Sequence, residues 1–165
     1  MDEARRRLAG ELVAREAQLL DERAWDTWLA LYEDDAQFWV PTWRDEAELT
    51  QDPSQELSFM YLAGRKMLAE RVFRITSGRS AASLPLPRTN HLVTGLLVTA
   101  TGADSVVVHS AWSSHVYAHK DASLTTYTGR YEHVLAWSGD AFRIRRKKII
   151  LINDRLASQV DFFYL

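Results

Sequence analysis

Residues 142–154 read FRIRRKKIILIND: five cations within six positions (Arg143, Arg145, Arg146, Lys147 and Lys148), then the aliphatic run 149–152. Such a juxtaposition fits a nucleic-acid patch, a membrane anchor, or a strand covered on both faces. The formal net charge is −2, whereas a nucleic-acid domain carries a domain-wide basic excess. The basic run is also offset locally, because 41–56 holds Asp45, Glu46, Glu48, Asp52 and Glu56 against Arg44 alone. A membrane helix needs about 20 apolar residues, and the run at 149–152 is only four residues long. The strand reading remains. Alternation then sends Phe142, Ile144, Arg146 and Lys148 to one face. Either a β-bulge near 145–147 returns the charges to the polar side, or the inner face meets acidic partners. Beyond the charges, Ile149 and Leu151 face one way and Ile150 and Ile152 the other, so both faces need apolar cover.

Working outward, 91–101, 105–119 and 123–137 are also β-rich. The turn signals TGAD, KDA and SGD separate them, which predicts an antiparallel meander with 142–154 as its last strand. The first half reads differently. Residues 3–20 carry Leu8, Leu12 and Leu19 with Ala9, Val13 and Leu20 on one helical face, and Arg5, Arg6, Arg15 and Glu16 mainly away from it. Trp25, Trp28, Leu29 and Tyr32 repeat the i, i+3, i+4, i+7 pattern, predicting a second helix over 22–33 that ends at Asp34-Asp35. A short strand follows, stopped by Pro41, then an acidic loop over 41–56, a strand or turn of helix at 56–62 and a helix over 65–75. Residues 77–90 form a Gly/Ser/Pro-rich loop. Helices first and strands afterwards predict one α+β domain over 1–165, with a curved sheet wrapped around helices.

The chain has 165 residues, 47% of them hydrophobic and 25% charged, the balance of an ordinary globular protein. It contains no cysteine, which excludes disulfides, thiolate metal sites and cysteine nucleophiles and fits a cytoplasmic location. The opening MDEARRRLAGEL has no apolar stretch of the kind a signal peptide needs. Five histidines invite a metal hypothesis. However, His115 and His119 on one strand face lie roughly 13 Å apart, too far to share a metal at bond lengths near ~2 Å. His109 lies further along the same face. Glu132 and His133 are adjacent and point to opposite faces, so they are not an acid–base dyad. No phosphate loop, nucleophile elbow or helical metalloprotease motif occurs.

Four stretches, LLDERAWDTWLALYEDDAQFWVP (19–41), RVFRITSGRSAASLPLPRTNHLV (71–93), YTGRYEHVL (127–135) and FRIRRKKIILINDR with VDFFYL (142–155 and 160–165), resemble the small (β) subunit of bacterial aromatic-ring-hydroxylating dioxygenases. The flavour is that of the branch acting on aromatic acids such as benzoate and anthranilate. The resemblance implies a nuclear-transport-factor-like (cystatin-like) cone and an assembly of three large and three small subunits. It also implies that the large subunit carries a Rieske [2Fe-2S] cluster and a mononuclear non-haem iron, fed with electrons from NADH through a reductase. The absence of cysteine accords with that division, since a Rieske centre needs two cysteines and two histidines. No cofactor, metal or catalytic residue is then expected in this chain, and neither nucleic acid nor membrane is an expected partner.

If the chain is such a subunit, its chemistry is that of an interface. Trp112, Tyr127, Tyr131 and Trp137 are the candidate contacts on the sheet, Arg88 and Arg130 the candidate ionic anchors, and Arg145 and Lys147 the cations expected to meet subunit carboxylates. Phe162 and Phe163 are expected to pack rather than wave freely. The competing reading is a stand-alone dehydratase, isomerase or hydrolase using His91, His109, Tyr131 or Glu132 in an open cone mouth. A mouth plugged by bulky side chains would count against it.

Overall fold

A computed structural model describes residues 1–78, 84–153, 155–156 and 159–165. Helix α1 spans Glu3–Asp21, with Asp2 as its N-cap accepting from the Arg5 amide at 2.7 Å. A five-residue helix α2, Trp25–Leu29, leads into strand β1, Tyr32–Pro41. Strand β2 is Ser58–Ala63, and helix α3 is Arg65–Thr76. Four long strands follow: β3 Arg88–Ala100, β4 Ser105–Ala118, β5 Ser123–Trp137 and β6 Phe142–Leu151. A short 3₁₀ turn, Phe162–Tyr164, closes the chain.

The strands form one sheet in the order β2-β1-β6-β5-β4-β3. The meander β3–β6 is antiparallel as expected, but β1 joins β6 in parallel, so the sheet is mixed. Helix α1 lies across β3, where the Arg6 guanidinium donates to the Val98 carbonyl at 3.0 Å. The expected helix over 22–33 is much shorter. Tyr32 already belongs to β1, and Asp34 and Asp35 lie within the strand rather than ending a helix. The 77–90 loop falls partly outside the described residues. The 41–56 segment is organised by an isolated bridge between Trp43 and Leu49 and by Arg44, which pairs with Glu48 and Glu56.

Strand β6 has the anticipated bulge. Leu135 on β5 pairs with Ile144 and Val134 pairs with Arg146, so Arg145 is the extra residue. The phase shifts there. Phe142 and Ile144 are buried before it, and Lys147, Ile149 and Leu151 after it, while Arg146, Lys148 and Ile150 remain partly exposed. The shift returns Arg146 and Lys148 to the outer face, but it drives Lys147 into the core, where its exposure is 0%. Of the two alternatives, the bulge thus holds for Arg146 and Lys148, while Lys147 is an inner-face cation that needs an acidic partner.

The backbones of β5 and β6 approach closely at Gly129. A Cβ built on Gly129 would lie 1.8 Å from the Ile150 carbonyl oxygen, a contact no side chain tolerates. Gly129→Ala must therefore push the two backbones apart at the centre of the sheet. We expect it to cost at least about 2 kcal/mol, read as a lowered urea midpoint at unchanged m-value.

Candidate functional site

The inside of the cone is the natural place to look for chemistry. Its floor is the stripe Ala9, Val13, Glu16 and Leu20 of α1, all at 0% exposure. These positions recur every three or four residues, so Glu16 sits in the middle of the apolar face. Its carboxylate accepts from Trp28 Nε1 at 2.7 Å, Tyr32 hydroxyl at 2.9 Å, and Lys147 Nζ at 3.0 and 3.1 Å. Lys147 Nζ also donates to the Leu165 carbonyl oxygen at 3.2 Å, and stands 4.5 Å above the Tyr131 ring. The cluster thus ties together α1, α2, β1, β5, β6 and the C-terminal segment.

Burial pushes the Glu16 carboxyl up, but Lys147, His133 and the donors around it outweigh burial and hold it below its ordinary value. Burial pushes the Lys147 ammonium down, and Glu16 recovers only part of that. The carboxylate is thus more than compensated while the ammonium bears the cost of leaving water. His133 lies beside them at 0% exposure; burial first and Lys147 second press it down to about 3, so the imidazole is neutral.

A second polar pair sits at the rim of the same space. Asp21, the last residue of α1, accepts from Thr89 hydroxyl at 2.8 Å, from the His91 amide at 2.8 Å, and meets His91 Nδ1 at 2.6 Å. Partial burial raises the Asp21 carboxyl, but these hydrogen bonds hold it below its ordinary value. Among the described residues, eight buried side-chain atoms have no hydrogen-bond partner within the chain: His91 Nε2, Ser110 Oγ, Trp112 Nε1, Ser114 Oγ, the Tyr131 hydroxyl, both ring nitrogens of His133 and Arg146 Nε. An unpaired buried group costs about 1–3 kcal/mol.

The structure separates the candidate acid–base residues. His91 and Tyr131 point inward, whereas His109 and Glu132 are register partners on the outer face, where Glu132 pairs with Arg146. Phe162 and Phe163 are buried, as expected of the tail, and pack edge-on against Trp25 with ring centroids 5.8 Å away. Among the described residues no group of three or more His, Asp or Glu converges as metal ligands would.

The interface candidates divide as well. Trp112, Tyr127, Tyr131 and Lys147 share strand parity with Val108 and Leu135 and are buried at 5% exposure or less, so their side chains are spent on the chain's own core. Arg88 and Arg130 are exposed. Trp137 is half-buried against Phe142, with the Arg5 guanidinium over its ring at 4.6 Å. Arg145, on the bulge, pairs with Glu33 at 2.9 Å. Of the exposed apolar side chains Leu92 and Leu97 of β3, Leu124 and Ile152, the sequence reading marked Ile152, on a strand face expected to need apolar cover, and missed the other three. Strand alternation carried the signal for Leu92, which falls between inward His91 and Val93.

The family model for the ring hydroxylating beta subunit matches residues 15–158. The chain is 34% identical to the anthranilate 1,2-dioxygenase small subunit of Acinetobacter baylyi, covering 94% of each chain, and 35% identical to the 2-halobenzoate 1,2-dioxygenase small subunit of Burkholderia cepacia, covering 93% and 92%. The crystal structure of the benzoate 1,2-dioxygenase beta subunit from Burkholderia mallei superposes with a TM-score of 0.79 at 33% identity, over 100% of this chain and 98% of that one. A hexachlorocyclohexane dehydrochlorinase superposes with a TM-score of 0.67 at 12% identity, over 96% and 93%, a likeness of fold alone.

Two outcomes test the buried cluster. Lys147→Met strands the Glu16 carboxylate and is expected to cost about 3–5 kcal/mol. Adding Glu16→Gln should recover part of that loss in a double-mutant cycle of urea unfolding. His133 is depressed in the folded state, so it contributes full stability above its unfolded value near 6.5. That contribution is lost as pH falls from there toward about 3, with one proton taken up on unfolding. Thermal midpoints measured across this window should fall more steeply in the wild type than in His133→Gln.

Proposed function

The chain belongs to the ring hydroxylating beta subunit family, and from that premise we propose that it is the small, non-catalytic subunit of a multicomponent dioxygenase that adds O₂ to an aromatic acid. The observation that carries this reading is identity near one third over almost the whole length of relatives named as small subunits of anthranilate and 2-halobenzoate dioxygenases. The interior geometry supports it. A space occupied by an ion pair and capped by aromatic side chains serves cohesion better than turnover.

In this reading the chain acts as one domain over 1–165 within a cytoplasmic complex of three large and three small subunits. The large subunit holds the Rieske cluster and the mononuclear iron, and a reductase delivers electrons from NADH. The small subunits hold the large ones in a ring, so that the cluster of one lies within reach of the iron of its neighbour. Arg88, Arg130, Trp137 and Arg145 are the proposed partner contacts. Around them the exposed Leu92, Leu97, Leu124 and Ile152 supply the apolar surface an obligate interface requires.

Co-expression with a large subunit carrying a Rieske motif tests this directly. The complex is expected to co-purify with iron, Rieske absorbance and substrate-dependent oxygen uptake, none of which the chain has alone. Turnover of a small organic substrate by the isolated chain would overturn the proposal. Arg130→Glu should weaken co-purification while leaving the thermal midpoint of the isolated chain within a few degrees.

A further inference from the structure

Strand β3 ends the sheet and, among the described residues, pairs only with β4. The far side of such a strand is a row of N–H and C=O groups ready to take another strand. Proteins ordinarily protect it with charged side chains, proline or short length. Residues 89–100 of β3, TNHLVTGLLVTA, hold no Asp, Glu, Lys, Arg or Pro. By contrast β2, at the opposite edge, is only six residues long. Within β3 itself, the bulge between Thr94 and Leu97 interrupts the edge.

Helix α1 supplies the protection the strand lacks. At one end the Arg6 guanidinium donates to the Val98 carbonyl at 3.0 Å. At the other the Asp21 carboxylate accepts from the His91 amide and from the Thr89 hydroxyl, both at 2.8 Å. Arg23, just past the helix, donates to the Leu86 and Pro87 carbonyls at 3.0 Å each. His91 and Val98 lie opposite Ser114 and Val108 of β4, residues of equal parity, so both backbone groups face the same open side. From Arg6 to Asp21 the helix rises roughly 22 Å, and from Val98 to His91 the strand rises roughly 23 Å. Between these ends a Cβ added to Gly10 would lie 3.7 Å from Leu96 Cδ1, so helix and strand run side by side with matched ends. Both clamps are charge-assisted hydrogen bonds, the stronger kind.

We propose that the open edge of β3 is a self-association surface for β3 of a second copy, held shut by Arg6 and Asp21 of α1. The strand itself specifies that partner. An uncharged edge has no repulsion against its own copy, and antiparallel pairing about a twofold axis gives a closed contact. Such pairing also covers Leu92, Leu96 and Leu97, which are 48%, 41% and 61% exposed. The device goes beyond the subunit role, since this chain's own first helix sets it.

The double variant Arg6→Ala with Asp21→Ala opens both clamps. Light scattering across a range of concentrations is expected to show its mass rising to twice that of the wild type. The chain has no cysteine, so Thr94→Cys places a single thiol at an exposed position in the middle of β3. A short bis-maleimide should then link two copies in the double-variant background and not in the wild-type background. A folded double variant at the wild-type mass, or equal linking in both backgrounds, would overturn the proposal. If the double variant does not fold, Arg6→Ala alone decides, because that side chain is exposed. Linking through position 94 is then expected to be faster than with Arg6 present, and an equal rate defeats the inference.

Discussion

One ion pair holds the architecture together. Glu16 and Lys147 lie 131 residues apart in sequence, and both are removed from solvent. Neither charge tolerates that burial alone. The carboxylate therefore gathers Trp28 and Tyr32 besides the ammonium, and the ammonium reaches the Leu165 carbonyl. Each of these bonds specifies where a different element must sit. A core of aliphatic residues alone would tolerate a helix sliding or rotating on the sheet. This one does not, because any displacement of α1 unpairs a buried charge.

The bulge at Arg145 is what makes the pair possible. Without it, strand alternation after Phe142 and Ile144 would bury Arg146 and Lys148 and expose Lys147. With one extra residue, a single cation points inward, opposite a single inward carboxylate. The remaining cations of the run find partners outside: Arg143 with the Ala30 carbonyl, Arg145 with Glu33, Arg146 with Glu132, and Lys148 over the Trp39 ring at 4.7 Å. A stretch that resembled a nucleic-acid patch is thereby divided between the centre of the fold and its surface.

Much of this was legible before the structure and some was not, for identifiable reasons. Alternation and turn signals placed the four long strands, and helical periodicity placed α1 and α3, because both patterns are local. The bulge was anticipated from the clash between charge and alternation. Glu16 was assigned to the polar side because it is charged, although its spacing from Ala9, Val13 and Leu20 put it on the buried stripe. Trp28 and Tyr32 imitated a longer helix. A five-residue helix followed by a strand also aims both at one carboxylate, and sequence spacing does not distinguish the two. Aromatic content suggested Trp112, Tyr127 and Tyr131 as interface residues, yet which face of a strand is inward depends on register. Arg88, Arg130, Trp137 and Arg145 were identified from the sequence alone and still face outward or lie at the edge.

The parallel seam between β1 and β6 has a consequence for how the chain folds. Strands β3 to β6 connect through short turns and form as a local meander. Strands β1 and β2 pair with each other across the 41–56 loop. The two pieces join along the register that runs from Tyr32 opposite Ile144 to Trp39 opposite Lys148, and that junction closes a loop of roughly a hundred residues. Loop entropy must be lost before the seam returns any binding energy, and contacts so distant in sequence slow folding. The chain thus assembles as two quick local units and one slow join, and the buried ion pair completes on the slow side of that division.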